Sequence, residues 1–392
     1  MSAEIAVVGR LLLGDELVTG MVIISGDRIA EVRRGATFDR LPGDVLEAAI
    51  VAPGLIDLQV NGGFGVEVGP DPASIRRLAA RLPETGVTAF LPTVVSGPAA
   101  DYPPIVAAFA AARSTAGARP LGLHLEGPFL APQRPGAHRR AVIEAADDAL
   151  FDLLLGAKGV RVVTLAPERP GAHARIRRLR ERGIIVSLGH TDATAEEFVT
   201  GVDLGARMAT HLFNAMSPFS HRAPGAIGAA LTEPRITVGL IADGVHSHPL
   251  SLRLAVAAKG PERIALVSDM MAAAGMGPGS YTLAGQAVRV DASSARLADG
   301  TLAGSILTMD QAVRNMVAWT GNSPATALRM ASEVPARVLG LSEFGRIVAG
   351  AFADLVLLDE TLAPTATIVA GRIVWRRAAP PPRSHVGRHA ST

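Results

Sequence analysis

The sequence predicts an α/β protein, a (β/α)8 TIM barrel with a small β-sandwich domain built from both chain ends. Three observations carry that expectation. First, a short apolar stretch ending in polar residues, then a loop, then a helical stretch recurs along the middle of the chain, with strands near 55–61, 88–95, 120–126, 161–167, 184–190, 206–212, 236–243 and 263–269. Eight such units in about 290 residues match the size and rhythm of a barrel. Second, both chain ends read as short alternating strands with turns and no helix-length segment. Third, the competing doubly wound open sheet would carry a G-x-G-x-x-G turn after its first strand, and "NGGFG" lacks that spacing.

Taken in order, "EIAVVG", "ELVTGMVIISGDRIAEV" and "GDVLEAA" supply strands before residue 52, with Gly-Asp as a hairpin turn. The same texture returns in "GRIVAGAFADLVLLD" and "ATIVAGRIVW". The expected organisation is therefore a small β-domain from 1–52 and 345–377, a catalytic barrel over 53–344, and a tail over 378–392. The tail, part of "RRAAPPPRSHVGRHAST", has a disordered composition.

Bulk properties narrow the function. Hydrophobic residues make up 48% of the 392, ample for a large core, yet the apolar runs are short and broken by charge, Gly or Pro, so no membrane span is expected. The pI of about 9.5 comes with a net charge of only +2, because Lys158 and Lys259 are the only lysines and arginine holds its charge to very alkaline pH. Without a basic stripe interleaved with aromatics, nucleic acid is not an expected partner; "RIRRLRERG" (175–183) reads as a solvated helix face. The absence of cysteine removes disulfides and thiolate ligands and fits a reducing cytoplasm. "MSAEIAVVGR" does not read as a signal peptide, because Glu4 stands where a basic region is needed.

Chemistry in a barrel sits at the C-terminal strand ends. Here those ends carry Gln59 and Asn61, then Glu126, His190, His211 and Asp269. A lone histidine after an apolar strand is usually structural. Two at successive strand ends, with a carboxylate on a third, form a set that suits zinc or iron(II) while leaving a position open for water. Within "LHLEGPFL", His124 and Glu126 face the same side of a strand, and His124 is assigned a structural part near Glu126. A buried ion pair is the alternative use of Glu126. Asp269 ends the apolar "RIALVS" and would project into the same mouth, where a carboxylate can take a proton from a metal-bound water and pass it to a leaving amine. Its alternative use is to cap a helix over "MMAAAGM".

In order along the chain, "PGLIDLQVNGGFG", "GLHLEGPFL", "GAH", "VTLAPE", "LGHTDAT", "THLFNAMSPF", "APG", "DGVH", "VSDMMAAAGM" and "GTLAGSILTMDQAVRN" resemble the segments of the N-acetylglucosamine-6-phosphate deacetylase family of the amidohydrolase superfamily. The resemblance runs to about residue 375. It implies a metal-dependent barrel with a small β-sandwich and hydrolysis of N-acetylglucosamine 6-phosphate to glucosamine 6-phosphate and acetate. It also implies Glu126, His190 and His211 as metal ligands and Asp269 as general acid/base. By the same resemblance His138 polarises the acetyl carbonyl and anchors the sugar, Asn214 and Ala215 contact the phosphate end of the substrate, and Arg222 and His246 bind its phosphate. The family's histidine at this last position comes from the neighbouring subunit, which implies a homodimer with His246 reaching across.

Many amidohydrolases place His-x-His where this chain has Gln59 and Asn61. Neutral amides replace imidazoles poorly, so one divalent ion per subunit is expected, zinc before iron, manganese or cobalt, with Gln59 and Asn61 as the vestige of a second metal site. The competing readings are an N-acetylgalactosamine-6-phosphate deacetylase, another amidohydrolase acting on a cyclic amide, and a non-catalytic sugar-phosphate binder.

Overall fold

A computed structural model describes residues 4–35, 44–112 and 116–378. The predicted tail thus lies outside the described residues apart from its first position. Eight strands, Leu55–Val60, Val87–Val95, Leu123–Glu126, Val160–Leu165, Ile185–Leu188, Met208–Ala209, Thr237–Leu240 and Ile264–Leu266, pair in sequence order as a parallel sheet. Asp269 N–H donates to Gln59 O at 3.0 Å and Asn61 N–H to Met270 O at 2.9 Å, which closes the last strand region onto the first.

Several strands stop short of the expected ends, and the cause is local. His190, His211 and Asp269 have φ of +47°, +25° and +52°, and a left-handed residue cannot continue a ladder. Each strand therefore turns sharply where its polar residue stands. Helices cover the outside, so the strands are apolar on both faces. Asp71 caps the first of them, Pro72–Arg81, and Thr194 with Glu197 forms a capping box on Ala195–Leu204. The helix Ala172–Glu181 bears the arginine-rich segment. Most of its arginines face solvent, but Arg175 is buried, donates to Asp148 at 2.7 Å and stacks over Phe129.

Both chain ends enter one seven-stranded sheet. Its order is Arg372–Arg376, Pro364–Val369, Leu355–Leu358, Asp44–Pro53, Ile5–Leu13, Glu16–Ser25, Arg28–Arg34. Period-two alternation sends Val7, Val22 and Ile24 to an interior shared with Leu355 and Ile368, and Ala6, Met21 and Ile23 to the opposite face. Leu12, Ile50 and Val356 join the barrel core, so the two units share a hydrophobic contact. Gly26, at φ +62°, makes the Gly-Asp hairpin turn that the sequence signals. One element was not foreseen: after Asp269, Gly279–Leu283, Gln286–Val290 and Ala295–Arg296 form a small antiparallel flap. No described helix is long and apolar enough to cross a membrane.

Candidate active site

A cavity of about 360 Å³ opens at the C-terminal mouth of the barrel. Glu126, 4% exposed, stands at its base. Its Oε1 lies 3.0 Å from His211 Nε2 and 3.4 Å from His190 Nε2, and the two imidazole nitrogens are 3.0 Å apart. Two ring nitrogens facing each other at that distance gain nothing unless a proton or a cation lies between them. Donor atoms around a tetrahedral ion at about 2.0–2.1 Å sit about 3.3 Å apart, so the three atoms match the edges of such a shell.

Hydrogen bonding assigns the histidines. His190 Nδ1 donates to Arg134 O at 3.0 Å, since a carbonyl can only accept, and this leaves the neutral ring's Nε2 with a lone pair aimed at Glu126. Gly136, at φ +53°, packs under that ring where a Cβ would come within 3.0 Å of it. His138 is oriented the other way. Its Nδ1 accepts from Ser96 N–H at 3.3 Å, so the proton of the neutral ring is on Nε2, 3.7 Å from Glu126 Oε2. Glu126, His138 and His190 are close enough together to be a metal-holding group. The Ser96 bond nevertheless makes His138 an N–H donor into the cavity, while His190 and His211 offer Nε2 to an ion. Among the described residues His211 Nδ1 has no partner.

Asp269 enters from the other side. Its Oδ1 accepts from Asn61 Nδ2 at 2.7 Å and from Gln59 Nε2 at 3.0 Å, and Gln59 Nε2 also donates to Glu126 Oε1 at 2.8 Å. The Gln59 amide nitrogen thus sits between two carboxylates. No helix follows over "MMAAAGM", which turns instead, so capping is not the use of Asp269. Burial and the neighbouring Glu126 charge push its carboxyl up to about 6, only partly offset by His211, His246 and Asn61. Burial works against Glu126 too, but the imidazoles of His138, His190 and His211 gathered around it outweigh burial and hold that carboxyl well below its usual range. Burial and His138 push His190 down to about 4; for His211 burial opposes, yet Glu126 raises it. Two carboxyls driven apart in this way make a fixed anion and a proton carrier.

Asn214 and Ala215 line the cavity, Asn214 anchored by Nδ2 to His211 O and Leu212 O, and Ala215 at φ +50°. His246 corrects the expectation that it reaches a neighbouring subunit. Its side chain is buried in its own chain's cavity, with Nδ1 held 2.6 Å from Asp243 Oδ2. Burial would raise Asp243, but its bond to His246 and that ring's charge lower it. Arg222 is exposed and is not among the residues lining this cavity. His124 lies below, bonded to Leu58 O and Thr164 Oγ1 rather than to Glu126. Sequence reading missed Ser96 and Asp243, which orient His138 and His246. Asp243 stood in the quoted "DGVH", and a carboxylate three residues before a histidine was the available signal.

Residues 50–374 match the amidohydrolase family model. The chain belongs to the amidohydrolase family. Amidohydrolases are metal-dependent, and the glutamate and histidine cluster of this one could bind a metal. This amidohydrolase is 41% identical to human N-acetylglucosamine-6-phosphate deacetylase over 386 residues, covering 94% of this chain and 93% of the relative. It is 40% identical to an N-acetylgalactosamine-6-phosphate deacetylase of Escherichia coli O157:H7 over 335 residues, covering 83% and 89%. Among solved structures, a point mutant of N-acetyl-D-glucosamine-6-phosphate deacetylase from Mycobacterium smegmatis, in complex with N-acetyl-D-glucosamine-6-phosphate, superposes with a TM-score of 0.89 at 37% identity, covering 95% of this chain and 100% of that one.

Proposed function

We propose that this amidohydrolase hydrolyses the acetamide of N-acetyl-D-glucosamine 6-phosphate to D-glucosamine 6-phosphate and acetate. One observation carries the reading beyond the relatives' names: a single cavity holds a Glu/His/His cluster of ion-shell dimensions, an N–H donor on His138 and a buried Asp269 raised to about 6. A non-catalytic binder has no use for the last of these.

Glu126, His190 and His211 would hold one divalent ion, zinc before iron, manganese or cobalt, supplying Lewis acidity and making a water acidic near neutrality. Asp269, kept within reach by Asn61 and Gln59, takes the proton of the attacking water and returns it to the amide nitrogen as the C–N bond breaks. His138 donates its Nε2 proton to the carbonyl oxygen, where negative charge develops. Asn214 and Ala215 contact the phosphate end of the substrate, and His246, fixed by Asp243, faces the phosphate. Arg222, exposed and outside the cavity of its own chain, would meet the phosphate only from a second copy, and a cytoplasmic homodimer is the working form this reading expects.

The galactosamine epimer is the second reading, favoured by the Escherichia coli relative. Side-by-side kcat/KM on the two N-acetylhexosamine 6-phosphates tests the assignment. Preference for the gluco epimer is the expected result; preference for the galacto epimer would keep the chemistry and reverse the substrate.

A further inference from the structure

The second barrel strand ends differently from its neighbours. Strands one, three, five, six and eight lead to amide, carboxyl or imidazole side chains at the mouth, whereas "FLPTVV" delivers valine. Val95 pairs in parallel register with Glu126, so both side chains leave the sheet on the same side, toward the catalytic cavity. Val95 is only half-buried, because it faces two spaces at once. It lines the 360 Å³ catalytic cavity and also a separate cleft of about 610 Å³ that runs outward past Gly97 and Tyr102.

We propose that Val95, with Ala137 and Leu283, forms the pocket for the acyl chain of the substrate, and that the Val95 side chain is the wall that limits the chain to acetyl. The inference rests on the deacetylase reading above. Its geometry comes from the barrel order. Asn214, Ala215 and His246 follow strands six and seven, so the sugar phosphate occupies that sector. Strand two lies opposite strand six in a ring of eight. The amide carbon sits between, its oxygen toward His138 Nε2, its nitrogen toward Asp269, and its third substituent is left pointing at strand two. His138 is tied to that sector by Ser96, the residue after Val95. The apolar atoms waiting there are Val95, Ala137 and Leu283. All three pack with the flap's hydrophobic cluster, which gives the unforeseen flap a function as the outer wall of the pocket. Gln286 Nε2, donating to Ala137 O at 2.6 Å, pins the flap to this wall.

Shortening Val95 joins the catalytic cavity to the cleft behind it. The decisive experiment compares kcat/KM of wild type, Val95→Ala and Val95→Phe on N-formyl, N-acetyl and N-butyryl glucosamine 6-phosphate. A methylene more or less in an apolar pocket changes discrimination by about 10- to 200-fold. Val95→Ala is expected to raise the butyryl-to-acetyl ratio by at least about tenfold, and Val95→Phe to raise the formyl-to-acetyl ratio by a similar factor. These opposed shifts in ratio would not follow from a general loss of structure, and either variant alone suffices if the other fails to fold. Acetate release with both ratios unchanged would overturn the pocket and leave the deacetylase standing. Wild type that releases no acetate would overturn the deacetylase reading and the pocket with it.

Discussion

Beneath the catalytic mouth, His124 Nδ1 donates to Leu58 O at 3.0 Å, so its Nε2 accepts from Thr164 Oγ1 at 2.8 Å. Thr164 then accepts from Thr210 at 2.7 Å, and Thr210 from Ser187 at 2.6 Å. The direction of every bond follows from the one carbonyl at the end. A few residues farther along the same strands the situation is reversed. His190 and His211 point nitrogens at each other, His211 Nδ1, Gln59 Oε1 and Asn61 Oδ1 find no partner among the described residues, and His190, His211 and Asp269 hold positive φ. Both layers are buried and polar, but only the lower one is satisfied. A non-glycine residue held at positive φ costs about 1–3 kcal/mol, so the upper layer persists at a cost to stability that the scaffold below must offset. The contrast separates a layer whose donors and acceptors turn to the cavity from a network that holds the barrel.

The largest effect expected of breaking the upper layer is on turnover. Asp269→Asn should cut kcat by about 10²- to 10⁴-fold, the usual worth of a general acid/base, with metal content by elemental analysis unchanged. A kcat within a few-fold of wild type would remove Asp269 from its role. Breaking the lower layer should act on stability instead. Thr164→Val keeps the shape but strands His124 Nε2 and the Thr210 hydroxyl, at a cost of about 1–3 kcal/mol in chemical unfolding of the stripped protein, while turnover per folded molecule changes little. A large loss of kcat without loss of stability would erase the distinction between the layers. A smaller and more graded effect concerns pH. Asp269 must be ionised to accept a proton, so kcat/KM should fall as pH drops through a midpoint near the 6 to which burial and Glu126 raise it, and a bound cation should move that midpoint lower. An acid limb that survives Asp269→Asn would assign it to another group. Least affected should be the surface: Arg140 pairs with Glu144 at 2.8 Å but both are exposed, and Arg140→Ala should change stability by no more than about 0.5 kcal/mol.

Much of the mouth was legible because barrels put chemistry at strand ends, and a charged or amide side chain after an apolar run is visible without coordinates. The structure brings Gln59, Asn61, Glu126, His138, His190, His211 and Asp269 around one space. Strand lengths were overestimated because the strands were read up to His190 and past His211, while the backbone turns left-handed at both, a conformation that histidine adopts more readily than most residues but that its presence alone does not announce. The orientations of His138 and His190 depend on Ser96 N–H and Arg134 O, backbone atoms that carry no sequence signal. His246 was placed across an interface because a family pattern says which residue is used, not which way this chain turns it; Asp243, three residues before, turns it inward. Val95 was passed over because an apolar strand end looks like more core.

The measurement that tests the account most directly is acetate release from N-acetylglucosamine 6-phosphate by protein stripped with a chelator and titrated with one divalent metal at a time. Turnover absent from the stripped protein and restored at about one ion per chain, with binding of that ion lost in Glu126→Gln and His211→Ala, is the predicted result. Undiminished turnover by the stripped protein, or an ion bound equally well by both variants, would contradict it.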